Sequence, residues 1–280
     1  FLPDGAYHWT RTRYWQKLDR IGQAILSCGV KEQTWQLPDM VALCEVENDS
    51  VLHDLTRRSL LRNARYDYVM TNSPDERGID VALMYSPYSF RLIGSHSVRV
   101  KPIKGMRPTR DILYASGVTA SGDTLHVIVV HLPSRRGGEK YSRPFRMMAA
   151  RQVAAVIDSI YNKVSAEAKI IVAGDFNDYS NSESMQLLCS KRMIGVSKGA
   201  KGHNGAKGTY RYQGLWGSLD HILVSIPLAD IATECYVNDA EFLIERDEKY
   251  GGVKPRRNYL GPRYLNGFSD HLPLVARFQW

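Results

Sequence analysis

A chain of 280 residues that is 44% hydrophobic and 24% charged has the balance of a folded soluble protein, which excludes a disordered, collagen-like or disulfide-stapled mini-protein. Its 37 Lys and Arg against 29 Asp and Glu leave a net charge of +8, which favours polyanions: nucleic acid, anionic lipid headgroups or phosphorylated small molecules. The four cysteines, Cys28, Cys44, Cys189 and Cys235, are too scattered for a zinc or redox motif; no transmembrane segment and no signal peptide is visible, although a start at Phe1 fits removal of an upstream signal segment.

In chain order, Trp15, Leu18, Ile21 and Ile25 recur at helical spacing and predict a helix over 13–28, stopped by Gly29. The apolar run 40–46 predicts a strand. A second helix is expected over 50–62 with Ser50 as N-cap, followed by strands at 66–70, 80–85 and 90–98. Residues 112–119 and 124–130 predict a hairpin turning at 120–123. A long helix follows over 143–162, with Phe145, Met148, Ala149, Val153, Val156, Ile157 and Ile160 on its buried face. Ile170 to Ala173 predicts a buried strand, Ser182 to Cys189 a short helix, 195–208 a Gly- and Lys-rich loop, and 221–225 and 272–278 two more strands. The stretch 246–266 lacks periodicity and is expected to be a long surface loop. Without repeats or linkers, one domain over 1–280 is expected, built from two packed sheets covered by helices.

The polar residues that carry chemistry sit at predicted strand ends. In Ala173-Gly174-Asp175-Phe176-Asn177-Asp178, Asp175 and Asn177 project to one face of an extended backbone, where a carboxylate takes a proton from water and a carboxamide donates to a phosphate oxygen; read alone, the same pair suits an Asx turn. In Ser269-Asp270-His271-Leu272-Pro273 the adjacent Asp270 and His271 point opposite ways, so His271 needs another partner, and Asp220 of Ser218-Leu219-Asp220-His221-Ile222 is the candidate. His131, ending the strand before Leu132-Pro133-Ser134, pairs in the same manner with Asp80 of Gly78-Ile79-Asp80-Val81-Ala82-Leu83. Glu45, after Met40 to Cys44, offers hard oxygens suited to Mg²⁺ or Mn²⁺, and Arg110 of Thr109-Arg110-Asp111 offers a fork for phosphate, with a surface salt bridge to Asp111 or another acid as its plain alternative, the stronger reading of Arg110 taken by itself.

Together these segments, spanning residues 38–273, resemble the endonuclease/exonuclease/phosphatase superfamily. The resemblance implies an α/β (α+β) four-layer sandwich, two mixed β-sheets packed face to face and flanked by helices. It implies a hydrolase of phosphoric ester bonds that uses Mg²⁺ or Mn²⁺. Glu45 and Asp270 are then metal ligands, Asp175 orients or deprotonates water, Asn177 donates to the scissile phosphate, His271–Asp220 and His131–Asp80 form two dyads, and Arg110 binds phosphate together with Asn177 and His131. The family opens with a strand ending in Asn; residues 1–12 contain neither, so the domain is expected to lack its first β-strand. Hydrolysis of phosphodiesters, with nucleic acid as one substrate class, is the leading expectation. Arg135, Arg136, Lys140, Lys249, Lys254, Arg256, Arg257 and Arg263, near the motifs, support it. A phosphatase or phospholipase acting on inositol phosphates, phospholipid headgroups or other phosphorylated metabolites is the alternative, and a non-catalytic binding protein retaining the fold is a third. No stable protein partner is implied.

Overall fold

A computed structural model describes residues 2–31 and 34–280. Helix α1 (Arg11–Ser27) opens on Thr10, whose hydroxyl accepts from the Arg13 amide at 3.4 Å, and buries Leu18, Gly22, Ala24 and Ile25. Helix α2 (Asp49–Arg57) is capped by Asn48, not Ser50: the Asn48 carboxamide oxygen accepts from the Val51 amide at 3.2 Å. It also ends earlier than its apolar spacing predicts, because the Ser59 hydroxyl donates back to the Leu55 carbonyl and accepts from the Leu61 amide, turning the chain. Helix α3 (Glu139–Lys163) starts one turn before the predicted position, upstream of Pro144; Ser142 donates to the Gly138 carbonyl at 2.7 Å and the Glu139 carboxylate pairs with Arg146. Helix α4 (Glu183–Cys189) follows the prediction.

A three-stranded sheet has the order β1 (Met40–Val46), β3 (Asp80–Tyr85), β2 (Asp67–Met70). A six-stranded sheet contains β4 (Phe90–Val98), β5 (Ile112–Thr119), β6 (Thr124–His131), β7 (Lys169–Asp175), β8 (Met193–Gly195) and β9 (Asp220–Ser225) in the spatial order β8-β9-β7-β6-β5-β4. Only β6 and β7 run parallel in it, joined by α3. Strands β10 (Ala232–Val237), which the sequence did not predict, and β11 (Leu274–Phe278) form a separate antiparallel pair. The stretch expected as a loop over 246–266 carries short hairpins, Ile244–Arg246 with Val253–Pro255 and Tyr259–Leu260 with Arg263–Tyr264.

Strand alternation builds the layers. Ile128 and Val130 of β6 and Ile170 and Val172 of β7 face α3 and α4, meeting Val153, Ile157, Met185 and Leu188. Leu125, Val127 and Val129 face the other way, onto Val81 and Leu83 of β3. The outer face of the small sheet, Ala82 and Met84, packs on Leu18, Ile25, Leu52 and Leu55. The stack is helices, sheet, sheet, helices, as expected. β1 pairs only with β3, and β11 only with β10. The space between them belongs to a cavity of about 2110 Å³ lined by Met40, Ala42, Cys44, Leu274, Ala276 and Phe278, which runs to the polar strand ends.

The strand ends are held by register. His131 of β6 lies opposite Asp175 of β7, and Asp175 lies opposite Asp220 of β9. One position back, Gly174 (φ +141°) faces Val130, and a Cβ there would lie 1.9 Å from the Val130 carbonyl oxygen. We expect Gly174→Ala to destabilise the fold by about 2–4 kcal/mol, the sum of backbone strain and overpacking. Chemical denaturation checks this, and an unchanged midpoint would show that the two strands separate freely.

Candidate active site

Asp175 ends β7 with its carboxylate bracketed by the next turn. Its Oδ1 accepts from the Asn177 amide at 2.8 Å, and Oδ2 from the Asn177 Nδ2 at 3.1 Å. Asn177 sits at φ +50°, a left-handed conformation that asparagine tolerates better than most residues. Its Nδ2 also donates to the Leu132 carbonyl at 3.0 Å. Both amide hydrogens are therefore engaged within the protein, so Asn177 orients Asp175 here and has no donor left over for a phosphate. The turn is anchored from behind by Asp178, which accepts from Arg135 Nη1 at 3.1 Å and from the Ser184 hydroxyl at 2.5 Å and forms an ion pair with Arg146, whose Nε lies 3.1 Å away. Asp178 is the last residue of the Gly-Asp-Phe-Asn-Asp segment, and nothing in its spacing distinguished it from a solvated turn residue.

Across the strand, Asp220 Oδ2 lies 2.7 Å from His271 Nδ1, joining the two residues paired from the sequence. A β-bridge between Tyr210 and His271 ties His271 to the hairpin Tyr210–Tyr212/Leu215–Gly217, and the two rings lie 4.9 Å apart. Burial alone would lower the His271 pKa; the charge and hydrogen bond of Asp220, with help from Asp175 and Asp270, win and raise it to about 10. His271 is thus favoured as an imidazolium, with Nδ1 on Asp220 and Nε2 the other ring nitrogen. The Asp175 pKa is raised as well: burial, then the Asp220 charge, lift it to about 7 against His271, the Asn177 amide and Arg110.

The second predicted dyad does not form. Asp80 Oδ1 receives the Thr71 hydroxyl at 2.6 Å, the Ser73 amide at 2.9 Å and the Ser73 hydroxyl, because the segment after β2 folds over the start of β3. His131 instead places Nε2 3.5 Å from Asp175 Oδ2. Among the described residues its buried Nδ1 has no hydrogen-bond partner. Burial and the nearby charges of Arg110, Arg77 and His271 push its pKa well down, so His131 is neutral beside a charged His271.

Arg110 is also placed otherwise than its expected role requires. Its Nε donates to the His131 carbonyl (3.1 Å), Nη2 to the Leu132 carbonyl (2.6 Å) and Nη1 to Asp75 Oδ2 (3.1 Å). Arg110 and Asp75 side chains are each about 5% exposed. The guanidinium is a buried clamp on the loop after β6; the salt-bridge alternative holds with another acid, Asp75, and buried rather than at the surface, while Asp111 pairs with Arg99.

Glu45 leaves its sheet at a bulge. Cys44 pairs with Val81 and Val46 with Asp80, so Glu45 is the extra residue, at φ +61°, with its carboxylate exposed. Asp270 is exposed as well, and both line the cavity that holds Asp175, Asn177, Asp220, His131 and His271. Two cations missed from the sequence stand there. Lys17 of α1 donates to the Phe268 carbonyl, and burial lowers its pKa to about 8 against the opposing charges of Asp270 and Glu45. Arg77 Nη1 is 3.3 Å from Glu45 Oε1. The helical stripe that located α1 concealed Lys17 on the polar side of it. Exposed carboxylates suit a hard divalent cation, which would have to displace Arg77 from Glu45. Ligand atoms of Asp175, Asp220 and His271 also lie within 4.8 Å of one another, but the bond between Asp220 and His271 already occupies one pair of them.

Residues 1–279 match the model of the endonuclease/exonuclease/phosphatase family, and the chain belongs to that family. By that membership it is a hydrolase of phosphoester bonds, in a family that depends on divalent metal. No curated protein matches it. Solved structures share its fold at low identity. A mannosyl-6-phosphatase of Bacteroides thetaiotaomicron is similar at 17% identity and TM-score 0.66, covering 96% of this chain and 93% of that one. An endonuclease/exonuclease/phosphatase from Bacteroides vulgatus gives 17% and 0.61, covering 95% and 92%. The human Nocturnin catalytic domain with bound sulfate gives 20% and 0.56, covering 86% and 82%.

Arg110→Ala would leave Asp75 buried without its partner. We expect it to cost about 3–5 kcal/mol of stability, read as a lower denaturation midpoint. A raised KM at an unchanged midpoint would instead make Arg110 a phosphate ligand.

Proposed function

We propose that this chain hydrolyses phosphodiesters by attack of a water held at Asp175, with Mg²⁺ or Mn²⁺ carried by Glu45 and Asp270. The observation that carries the reading is the row His131, Asp175 and Asp220 with His271 attached: a carboxylate with a raised pKa lies between a neutral and a charged imidazole. Asp175 takes the proton of the attacking water, and Asn177 fixes the direction of its lone pairs. His271, kept charged by Asp220, donates to the phosphoryl oxygens, and His131 donates or accepts beside it as a neutral group. A divalent cation bound there would stabilise charge on the phosphate and on the leaving oxygen.

An extended polyanion fits the surroundings. Arg135 stacks over Tyr179, Arg257 lies 5.9 Å from the Tyr210 ring, and Tyr179 and Tyr212 are exposed. Rings and guanidinium groups in alternation suit nucleic acid. A phosphatase is the second reading, favoured by the fold shared with an enzyme named as a mannosyl-6-phosphatase. We further propose that the slot between β1 and β11 receives one extended strand, completing the small sheet; the two unpaired edges and the apolar lining support it.

Hydrolysis of single-stranded DNA, RNA and matched phosphomonoesters with Mg²⁺ or Mn²⁺ tests the reading. Asp175→Asn is expected to lower kcat on the order of 10²–10⁴-fold with the fold intact. Cleavage of monoesters alone would replace the diester reading with the phosphatase one. The base works deprotonated, so a raised pKa removes activity on the acid side. We expect kcat/KM to fall as pH drops through about 7, whereas an ordinary carboxylate would hold the rate down to about pH 4.

A further inference from the structure

The clamped position of Arg110 leaves a gap in the phosphate-binding set. Its three bonded nitrogens hold two carbonyls and Asp75, and drawing it onto a substrate would strand a buried carboxylate. Asn177 has spent its amide hydrogens too. A phosphate in this cleft therefore lacks both the guanidinium expected from Arg110 and the amide donor expected from Asn177, and another donor must be sought among the residues that line it.

Arg77 fits that need. Its side chain is 53% exposed, against about 5% for Arg110, and it lines the same cavity as Glu45, His131, Asp175 and Asp270. Its charge reaches the site, since it is among the causes that depress the His131 pKa. Its backbone is fixed: the Arg77 amide donates to Asp75 Oδ1 at 3.0 Å, and Asp75 is held in turn by Arg110. Its side chain is held more weakly, by Glu45 at 3.3 Å and by Asp75 at 3.7 Å. Two other cations that line the cleft, Lys17 and Arg135, are more tightly committed. Lys17 is bonded to the Phe268 carbonyl, and Arg135 is paired with Glu139 at 2.7 Å and with Asp178.

The partner of Arg77 matters most. Glu45 is the exposed carboxylate at the bulge, the residue read above as a metal ligand. A divalent cation on Glu45 and a guanidinium on the same carboxylate repel each other, so one displaces the other. The displaced side chain stays tethered by its pinned backbone within reach of the cleft, where a bound phosphate competes for it only with the long contact to Asp75, a carboxylate already paired with Arg110.

We propose that Arg77 is a phosphate-binding residue that rests on Glu45 until a divalent cation takes that carboxylate, and then pairs with the substrate phosphate. This rests on the metal-dependent phosphoesterase reading above. It couples two events in one direction: metal binding frees the arginine that the phosphoester then uses. The rule that follows is that loss of Arg77 strengthens metal binding while it weakens phosphoester binding.

The test uses Arg77→Gln, with Arg107→Ala as control; Arg107 is a surface residue paired with Glu76 and 76% exposed. Mn²⁺ binding is measured by calorimetry without substrate, and KM and kcat are measured on a phosphodiester at saturating Mn²⁺. Arg77→Gln is expected to bind Mn²⁺ about two- to five-fold more tightly, the size of one exposed ion pair. Its KM should rise roughly ten- to hundred-fold, as for loss of a charge-assisted hydrogen bond, with the melting temperature unchanged and Arg107→Ala like wild type. Tighter Mn²⁺ with unchanged KM would make Arg77 a mere cover for Glu45 and overturn the proposal, as would unchanged Mn²⁺ affinity. Wild-type protein that binds no Mn²⁺ would remove the underlying reading itself, and this inference with it.

Discussion

The parallel pairing of β6 with β7 admits no side chain at position 174, and the proposed catalytic end of the molecule depends on that close approach. With Gly174 against the Val130 carbonyl, the next residues along each strand, His131 and Asp175, fall opposite each other. The antiparallel partner β9 then sets Asp220 on the far side of Asp175. Three chemically active residues from distant parts of the chain thus share one row. A shift of one residue in either pairing would turn Asp175 to the opposite face of the sheet.

That row confines two carboxylates in a buried setting, and neighbouring residues divide the charge between them. Asp220 keeps its charge because His271 sits on it; its pKa is lowered although burial opposes this. Asp175 has no such close partner and is raised. Two like groups are driven apart in acidity by which of them owns the imidazolium, an arrangement that yields a base and a fixed cation from similar parts. The hydrogen bonds from Asn177 and the anchoring of Asp178 by Arg146 and Arg135 hold the base in place as its charge changes.

Much of this was legible in the sequence because strand ends announce themselves. An apolar run that stops at a polar residue located Glu45, His131 and Asp175, a polar pair just before such a run located Asp270 and His271, and the pairing of His271 with Asp220 follows from the need of a strand-end histidine for a partner. What was not legible depended on loops. Asp80 looked like the partner of His131, but the side chains that satisfy it, Thr71 and Ser73, come from a segment without periodicity. Arg110 looked like a phosphate fork until Asp75, in that same segment, proved to be its buried counter-charge. Strand β10 was missed because its side chains are mostly half-buried, giving no clean alternation. Lys17 and Arg77 lie near the acidic residues only in three dimensions.

The most direct measurement of this account is the ¹⁵N chemical shift of the two active-site imidazoles, followed against pH in metal-free protein. His271 is expected to remain doubly protonated through neutral pH and to titrate only near 10, while His131 stays neutral well below the usual histidine range. Two histidines that titrate together near the ordinary value of about 6.5 would contradict it, since Asp220 would then not be holding a charged imidazole beside Asp175.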